Sequence, residues 1–187
     1  MSIEDTNPRA PAKGSAILTW LACLVALAAS AGSVYLSMGM GLKACPLCFY
    51  QRTLVMGVFC VLLVGLVTGA PRSGLCLLAL PLAAAALGVA GYHVYLEFTG
   101  ALECPQGIRD IGTAPQQSLA AQALLTLLLV LGVLSGPDKA TALTGLIATG
   151  LLGAGFAVAL ILSTAPQPPP PPPTTPIEIC RPPAKTA

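Results

Sequence analysis

Two cysteines separated by two residues, Cys45 and Cys48, are the clearest candidates for chemistry in this sequence. Proline is favoured at the first position of a helix, so Pro46 predicts that Cys45 caps a helix and that Cys48 is its third residue. Both sulfurs would lie at the positive end of the helix dipole, which lowers thiol pKa and favours a reactive thiolate. Arg52 lies one turn further on the same face. It could stabilise the Cys48 thiolate or donate to a carbonyl oxygen of a ligand in the bilayer.

The helices that position these residues are predicted to cross a membrane. Of the 187 residues, 55% are hydrophobic and only 9% are charged, whereas about a quarter of the residues in a soluble domain are charged. The first apolar stretch is longer than the hydrophobic region of a signal peptide, so we expect it to be retained. Five stretches are long and apolar enough to span a bilayer: about 15–38, 48–70, 74–95, 118–134 and 140–162. The sequence therefore predicts an all-α membrane protein.

The same composition excludes several functions. A net charge of +2 and 5% aromatic residues leave no basic or stacking surface for nucleic acid. No Asp, Glu or Lys lies in the middle of a span, which argues against an ion pump. Glycines in the fifth span predict close helix packing: Gly145, Gly150, Gly153 and Gly155.

Topology predicts which cysteines share a compartment. Lysines and arginines near the membrane favour a cytoplasmic N-terminus, with Arg9, Lys13, Arg72 and Lys139 inside and Lys43 and Arg109 outside. Five spans then place four cysteines on the outer side, where disulfides persist: Cys45, Cys48, Cys104 and Cys180. The other three lie within spans and are predicted to act as small apolar side chains: Cys23, Cys60 and Cys76.

Three kinds of site fit the outer cysteines. A redox-active pair suits the oxidising compartment and the arginine at the helix terminus. A purely structural disulfide leaves the position of Arg52 unexplained. A zinc site with four thiolates also fits a C-x-x-C with two further cysteines.

The string C-P-L-C-F-Y-Q-R at 45–52 resembles the DsbB family, quinone-dependent membrane proteins that drive disulfide-bond formation. A second similar string, G-Y-H-V-Y-L-E, lies at 91–97 before a loop cysteine. The resemblance covers roughly residues 15–135 and implies a four-helix transmembrane bundle with two periplasmic loops. To it we add a cytoplasmic N-terminal tail (1–14), a fifth transmembrane helix (136–163) and a Pro-rich periplasmic tail (164–187).

The resemblance also implies roles for individual residues. Cys45 and Cys48 would be the quinone-reducing pair, with Cys48 facing the quinone. Arg52 would bind a quinone oxygen, and His93 would lie near the quinone ring, although an interfacial side chain anchored beside two tyrosines is the plainer interpretation of this histidine. Cys104 would belong to the pair that exchanges with a partner oxidase.

One feature departs from the family pattern, because the loop from Leu96 to Gln117 holds only Cys104 instead of a complete pair. Cys180 is the remaining outer cysteine, and prolines precede it at 166 and 168–173. Polyproline is a semi-rigid spacer that rises about 3.1 Å per residue. We hypothesise that this arm brings Cys180 to Cys104; the alternative is a flexible tail with an incidental thiol.

The predicted function is that of a thiol:quinone oxidoreductase in the bacterial inner membrane. It would reoxidise a periplasmic thioredoxin-like (DsbA-like) oxidase and pass the electrons to membrane quinone, either ubiquinone or menaquinone. Glu97 and residues 116–118 could complete a polar rim at this site. The alternatives are a membrane scaffold with a structural or zinc-binding cysteine cluster, a transmembrane reductant exporter and an enzyme similar to vitamin K epoxide reductase.

Overall fold

The computed structural model of the chain describes residues 13–136, 139–164 and 177–183. Five helices follow one another: α1 (Lys13–Met38), α2 (Pro46–Val67), α3 (Arg72–Phe98), α4 (Ala114–Leu134) and α5 (Lys139–Leu162). All five are long and apolar enough to cross a membrane. The prediction of an all-helical protein with five candidate membrane helices is therefore confirmed. Most of the predicted N-terminal tail and the prolines at 166 and 168–173 lie outside the described residues.

The start of α4 lies earlier than the sequence predicted. Thr113 is its N-cap, and Pro115 occupies the first turn. Thr113 and Gln116 form a capping box, in which each side chain pairs with a backbone N–H of the other residue. This local pairing makes residues 114–117 helical, although a proline and two glutamines among them hide the start of the span in the sequence.

The third helix lies at the centre of the packing. It contacts α2, α4 and α5, while α1 packs between α2 and α4. A helix with neighbours on several sides needs small side chains there, and the fully buried residues of α3 include Ala79, Ala83, Ala85, Ala86 and Ala90. Other large apolar side chains of α3 are exposed on the outside, such as Leu78, Tyr95 and Phe98, which suits a hydrocarbon surrounding.

The fifth helix runs parallel to α3 and packs closely against it. A Cβ on Gly153 would lie 2.5 Å from the Cβ of Ala84, and one on Gly145 would lie 2.9 Å from a leucine side chain of α3. These two glycines therefore permit the close approach that the sequence predicted. For Gly150 and Gly155 that prediction is wrong, because a Cβ on either would meet no atom within 4 Å.

One end of the helices carries the candidate site. There α1, α3 and α5 end, and α2 and α4 begin. The connection between α3 and α4 contains a short 3-10 turn, Ile108–Asp110. Gln117 holds this loop, since its amide accepts from the N–H of Ile108 and donates to the carbonyls of Ile108 and Ile111.

Candidate active site

The first cysteine pair lies at the N-terminus of α2. Cys45 is the N-cap, with extended backbone angles, and Pro46 begins the helix, as the sequence predicts. The backbone N–H of Cys48 donates to Cys45 Sγ at 3.3 Å. The two Sγ atoms lie 2.9 Å apart, and both thiols are free. The spacing thus brings two thiols into contact within one helical turn.

The two thiols of this pair are not equivalent. A hydrogen bond with the Cys48 thiol and, to a smaller extent, the nearby His93 lower the pKa of Cys45 to about 5, against the opposing effect of burial. The sequence analysis considered instead a thiolate at Cys48 stabilised by Arg52. In the structure the thiolate is favoured at Cys45, the residue that caps the helix.

The second pair is a disulfide between Cys104 and Cys180, the pairing hypothesised from the sequence. Backbone hydrogen bonds hold the C-terminal segment in place on both sides of Cys180. Glu103 and Arg181 form an antiparallel bridge, with N–H to carbonyl distances of 2.8 and 3.0 Å. Lys43 N donates to the Glu178 carbonyl at 2.8 Å.

An ion pair also joins the C-terminal segment to the connection between α1 and α2 at the surface. Lys43 Nζ lies 3.2 Å from Glu178 Oε2, and both side chains are at least half exposed. Exposed pairs of this kind contribute little to stability. The disulfide and the backbone pairing are therefore the main links between the C-terminal segment and the loops.

His93 lies between the two cysteine pairs. Its side chain is fully buried, and Nε2 lies 3.6 Å from Cys104 Sγ and 3.8 Å from Cys45 Sγ. On the other side of the ring, Gln51 Nε2 donates to Nδ1 at 3.3 Å. Ser118 Oγ in turn donates to Gln51 Oε1 at 2.5 Å. One histidine thus contacts a sulfur of each pair.

Arg52 is held by the end of α1. Its Nε donates to Ser33 Oγ at 2.8 Å, and one terminal nitrogen donates to the Ser33 carbonyl at 2.8 Å and to Ser37 Oγ at 2.6 Å. These contacts satisfy a cation that would be costly near the membrane interior. Nothing in the sequence pointed to Ser33 or Ser37, and the only signal for Gln51 was its position within the C-P-L-C-F-Y-Q-R string.

A cavity of about 420 Å³ opens beside the first pair, between α1, α2 and α4. Cys48 and Arg52 line it, whereas its walls are otherwise mostly apolar. Gln122 also lines the cavity and is 2% exposed, and its Oε1 has no hydrogen-bond partner among the described residues. A mostly apolar cavity with a few polar groups is typical of small-molecule sites.

The residues of the predicted polar rim, Glu97 and 116–118, have different roles in the structure. Glu97 accepts a hydrogen bond from Thr113 Oγ1 at 2.9 Å. Gln116 caps α4, and Gln117 holds the loop. Of these rim residues, Ser118 is the one whose hydrogen bond leads to His93, through Gln51.

The cysteines within the spans differ in their surroundings. Cys23 and Cys76 are buried, and Cys76 Sγ lies 3.4 Å from Thr19 Oγ1. Cys60 is exposed on the outside of α2. The buried positions of Cys23 and Cys76 agree with the prediction that they act as small apolar side chains in the core. Cys60 instead faces the surroundings of the helices.

The fold and the site define a multi-pass helical membrane protein with a largely buried cluster of four cysteines, two free and two in a disulfide, at one end of its helices. A family model described as "Disulfide bond formation protein DsbB" matches residues 15–164, and the chain belongs to this DsbB family. The match extends past the predicted limit of 135 and includes α5. Neither a curated protein nor a solved structure matches the chain. Membership of the family makes the chain a membrane oxidoreductase of disulfide-bond formation.

Proposed function

We propose that the chain is a thiol:quinone oxidoreductase that reoxidises a thioredoxin-like oxidase and passes two electrons to membrane quinone. The observation that carries this proposal is the meeting of both cysteine pairs at His93. The Sγ atoms of Cys45, Cys48 and Cys180 and a ring nitrogen of His93 all lie within 4.8 Å of one another. Electrons can therefore pass between the pairs by direct thiol–disulfide exchange.

The exchange begins at Cys104. Cys104 is partly exposed, whereas Cys180 is 3% exposed, so an incoming thiolate of the partner attacks the Cys104 sulfur. A disulfide forms between the partner and Cys104, the Cys104–Cys180 bond breaks, and its electron pair leaves on Cys180.

Cys180 then attacks the oxidised first pair at Cys45. The Cys45–Cys48 bond breaks, and its electron pair leaves on Cys48. The second thiol of the partner releases Cys104, whose thiolate attacks the Cys45–Cys180 bond. The Cys104–Cys180 disulfide is restored and Cys45 leaves as a thiolate, a state that its low pKa favours. The partner has become oxidised, and Cys45 and Cys48 have become reduced.

The cavity beside Cys48 fits a quinone. Its walls are mainly apolar, as a quinone ring and tail require, and its volume of about 420 Å³ lies in the range of small-molecule sites. Arg52 would hold a quinone oxygen, and the unpaired Gln122 Oε1 would accept a hydrogen bond from a hydroxyl of the reduced form. The chemistry that a quinone supplies there is acceptance of two electrons, which returns Cys45 and Cys48 to the disulfide.

We further propose that the thiol end of the helices faces the bacterial periplasm. Disulfides persist in that compartment, and the opposite end holds the starts of α1, α3 and α5 at Lys13, Arg72 and Lys139. Positive residues are enriched on the cytoplasmic side. The N-terminus would then be cytoplasmic and the membrane the inner one.

A zinc-binding protein is the second candidate, because three sulfurs and His93 are close enough to share an ion. Zinc requires thiolates, and Cys180 is engaged in a disulfide. Such a site could therefore form only after reduction. Purified protein that contains zinc and reduces no quinone would favour this candidate over the oxidoreductase.

The test of the oxidoreductase is quinone reduction by a reduced thioredoxin-like oxidase, measured for the wild type, Cys48→Ala and Arg52→Ala. We expect no turnover in Cys48→Ala and strongly reduced turnover in Arg52→Ala. Full activity in both variants would refute the assigned site.

A further inference from the structure

The hydrogen bonds around His93 determine which ring nitrogen carries a proton. Gln51 presents its amide nitrogen to Nδ1, and an amide N–H₂ group can only donate. Nδ1 must therefore accept with its lone pair. In a neutral imidazole the proton then lies on Nε2, the nitrogen that faces Cys45 and Cys104.

The orientation of the Gln51 amide is determined in turn by Ser118. The Ser118 hydroxyl donates to Gln51 Oε1, so the amide oxygen faces α4 and the nitrogen faces His93. Gln51 is 4% exposed and His93 is fully buried. Little water can compete for these groups, which strengthens the bonds and makes an unpaired alternative costly.

We propose that Gln51 and Ser118 are positioning residues that hold His93 as its Nε2–H tautomer, so that a single N–H serves the sulfurs of both cysteine pairs. This inference rests on the proposed exchange reaction. When Cys180 attacks Cys45, or when Cys104 is released from the partner, negative charge develops on a sulfur beside His93. A preorganised N–H stabilises that charge.

The ring donates a hydrogen bond throughout and transfers no proton. The bonds that form and break are those of the exchange steps above. The ring can serve both pairs because its Nε2 is nearly equidistant from Cys104 Sγ and Cys45 Sγ, at 3.6 and 3.8 Å.

The chain contains one histidine, so nitrogen-15 NMR of protein labelled at histidine reports on His93 alone. In the wild type we expect a protonated Nε2 and an unprotonated Nδ1. Gln51→Met removes the amide donor, and Ser118→Ala removes the group that orients it. Both variants should lose the clear preference for the Nε2–H tautomer, whereas Ser118→Thr, which keeps the hydroxyl, should restore it.

Ser135→Ala is the matched control for Ser118→Ala. Ser135 lies at the other end of α4, where its hydroxyl donates to the Leu131 carbonyl, and its loss should leave the histidine signals unchanged. A wild-type spectrum with Nδ1 protonated would overturn the proposal, and so would a Gln51→Met spectrum identical to that of the wild type.

Exchange kinetics provide the second readout. The rate at which the reduced partner oxidase reduces the Cys45–Cys48 pair should fall roughly tenfold in Gln51→Met, the size expected for a lost hydrogen bond to a charged group, and recover in Ser118→Thr relative to Ser118→Ala. Unchanged rates in Gln51→Met would overturn the proposal. Absence of any electron transfer in the wild type would refute the proposed function instead, and the NMR result would still report the tautomer.

Discussion

Cys180 is bonded to Cys104, although 76 positions separate the two cysteines in the chain. The bond fixes a short C-terminal segment against the loop between α3 and α4. It also places a sulfur from the end of the chain beside Cys45, Cys48 and His93. A separate segment thus completes the second cysteine pair, as hypothesised from the single cysteine in the loop between α3 and α4.

Replacing Cys180 should separate the two halves of the reaction. In Cys180→Ser we expect electron transfer from the partner oxidase to fall to background, because the Cys104–Cys180 disulfide that the partner attacks cannot form. Quinone reduction driven by a small dithiol should persist, since Cys45, Cys48 and Arg52 are retained and serine is close to cysteine in size at the edge of the cavity. Assays with the two electron donors in parallel measure this difference. Normal turnover with the partner would show that Cys180 is incidental.

Replacing Arg52 should affect the reduction of quinone and leave the exchange with the partner oxidase unchanged. Arg52→Lys keeps the charge but cannot reproduce the three hydrogen bonds to Ser33 and Ser37. Because hydrogen bonds to charged groups contribute about 1.5–3 kcal/mol, we expect the KM for quinone to rise tenfold or more, with the rate of exchange with the partner unchanged. Steady-state kinetics at varied quinone concentration provide the measurement. An unaltered KM in Arg52→Lys would contradict the proposed role.

The low pKa of Cys45 predicts how pH acts on the reduced protein. The folded dithiol form holds a thiolate above about pH 5, whereas the unfolded chain keeps the thiol protonated up to its ordinary value of 9.0. The unfolded state therefore binds more protons over this interval, and the free energy of unfolding rises with pH across it. This contribution is lost as the pH falls through about 5.

Titration of thiolate ultraviolet absorbance should show a step near pH 5 that is missing in Cys45→Ser. Denaturant unfolding of the reduced wild type and of Cys45→Ser should diverge as the pH rises. Parallel stability curves for the two proteins would contradict the assignment of the thiolate to Cys45.

Packing between α3 and α5 provides a test that is independent of the chemistry. Gly153→Ala should destabilise the fold by about 1–3 kcal/mol, because the added Cβ would lie 2.5 Å from the Ala84 Cβ and 2.9 Å from the Pro81 carbonyl oxygen. Gly150→Ala is the matched control; its Cβ meets open space, and higher helix propensity should stabilise it by up to about 1 kcal/mol. Thermal unfolding in detergent compares the two. Equal effects would contradict the packing of α5 on α3.

The sequence predicts the local features of this protein well. Apolar length alone located five helices, and Pro46 predicted the cap at Cys45, because both signals depend on neighbouring residues only. The start of α4 was placed too late, since Pro115 and the polar Gln116 and Gln117 interrupt the apolar pattern, and the capping box of Thr113 makes this segment helical.

Contacts between helices were less predictable. Ser33 is 19 positions from Arg52, and Ser118 is 67 positions from Gln51, so nothing in the local pattern pairs them. Gly150 and Gly153 look alike in the sequence, yet only the second faces α3. The low pKa of Cys45 comes first from the neighbouring Cys48 thiol, but a further part of it comes from His93, which approaches from another helix.

The most direct test of the central claim is the coupling ratio under anaerobic conditions. Reduced thioredoxin-like oxidase is mixed with the purified protein and quinone, and the disulfide formed in the partner is measured together with the quinol produced. The proposed exchange predicts one partner disulfide for each quinone reduced, because each step moves two electrons, with neither product in Cys48→Ala. Oxidation of the partner without quinol formation, or quinol formation that persists in Cys48→Ala, would contradict it.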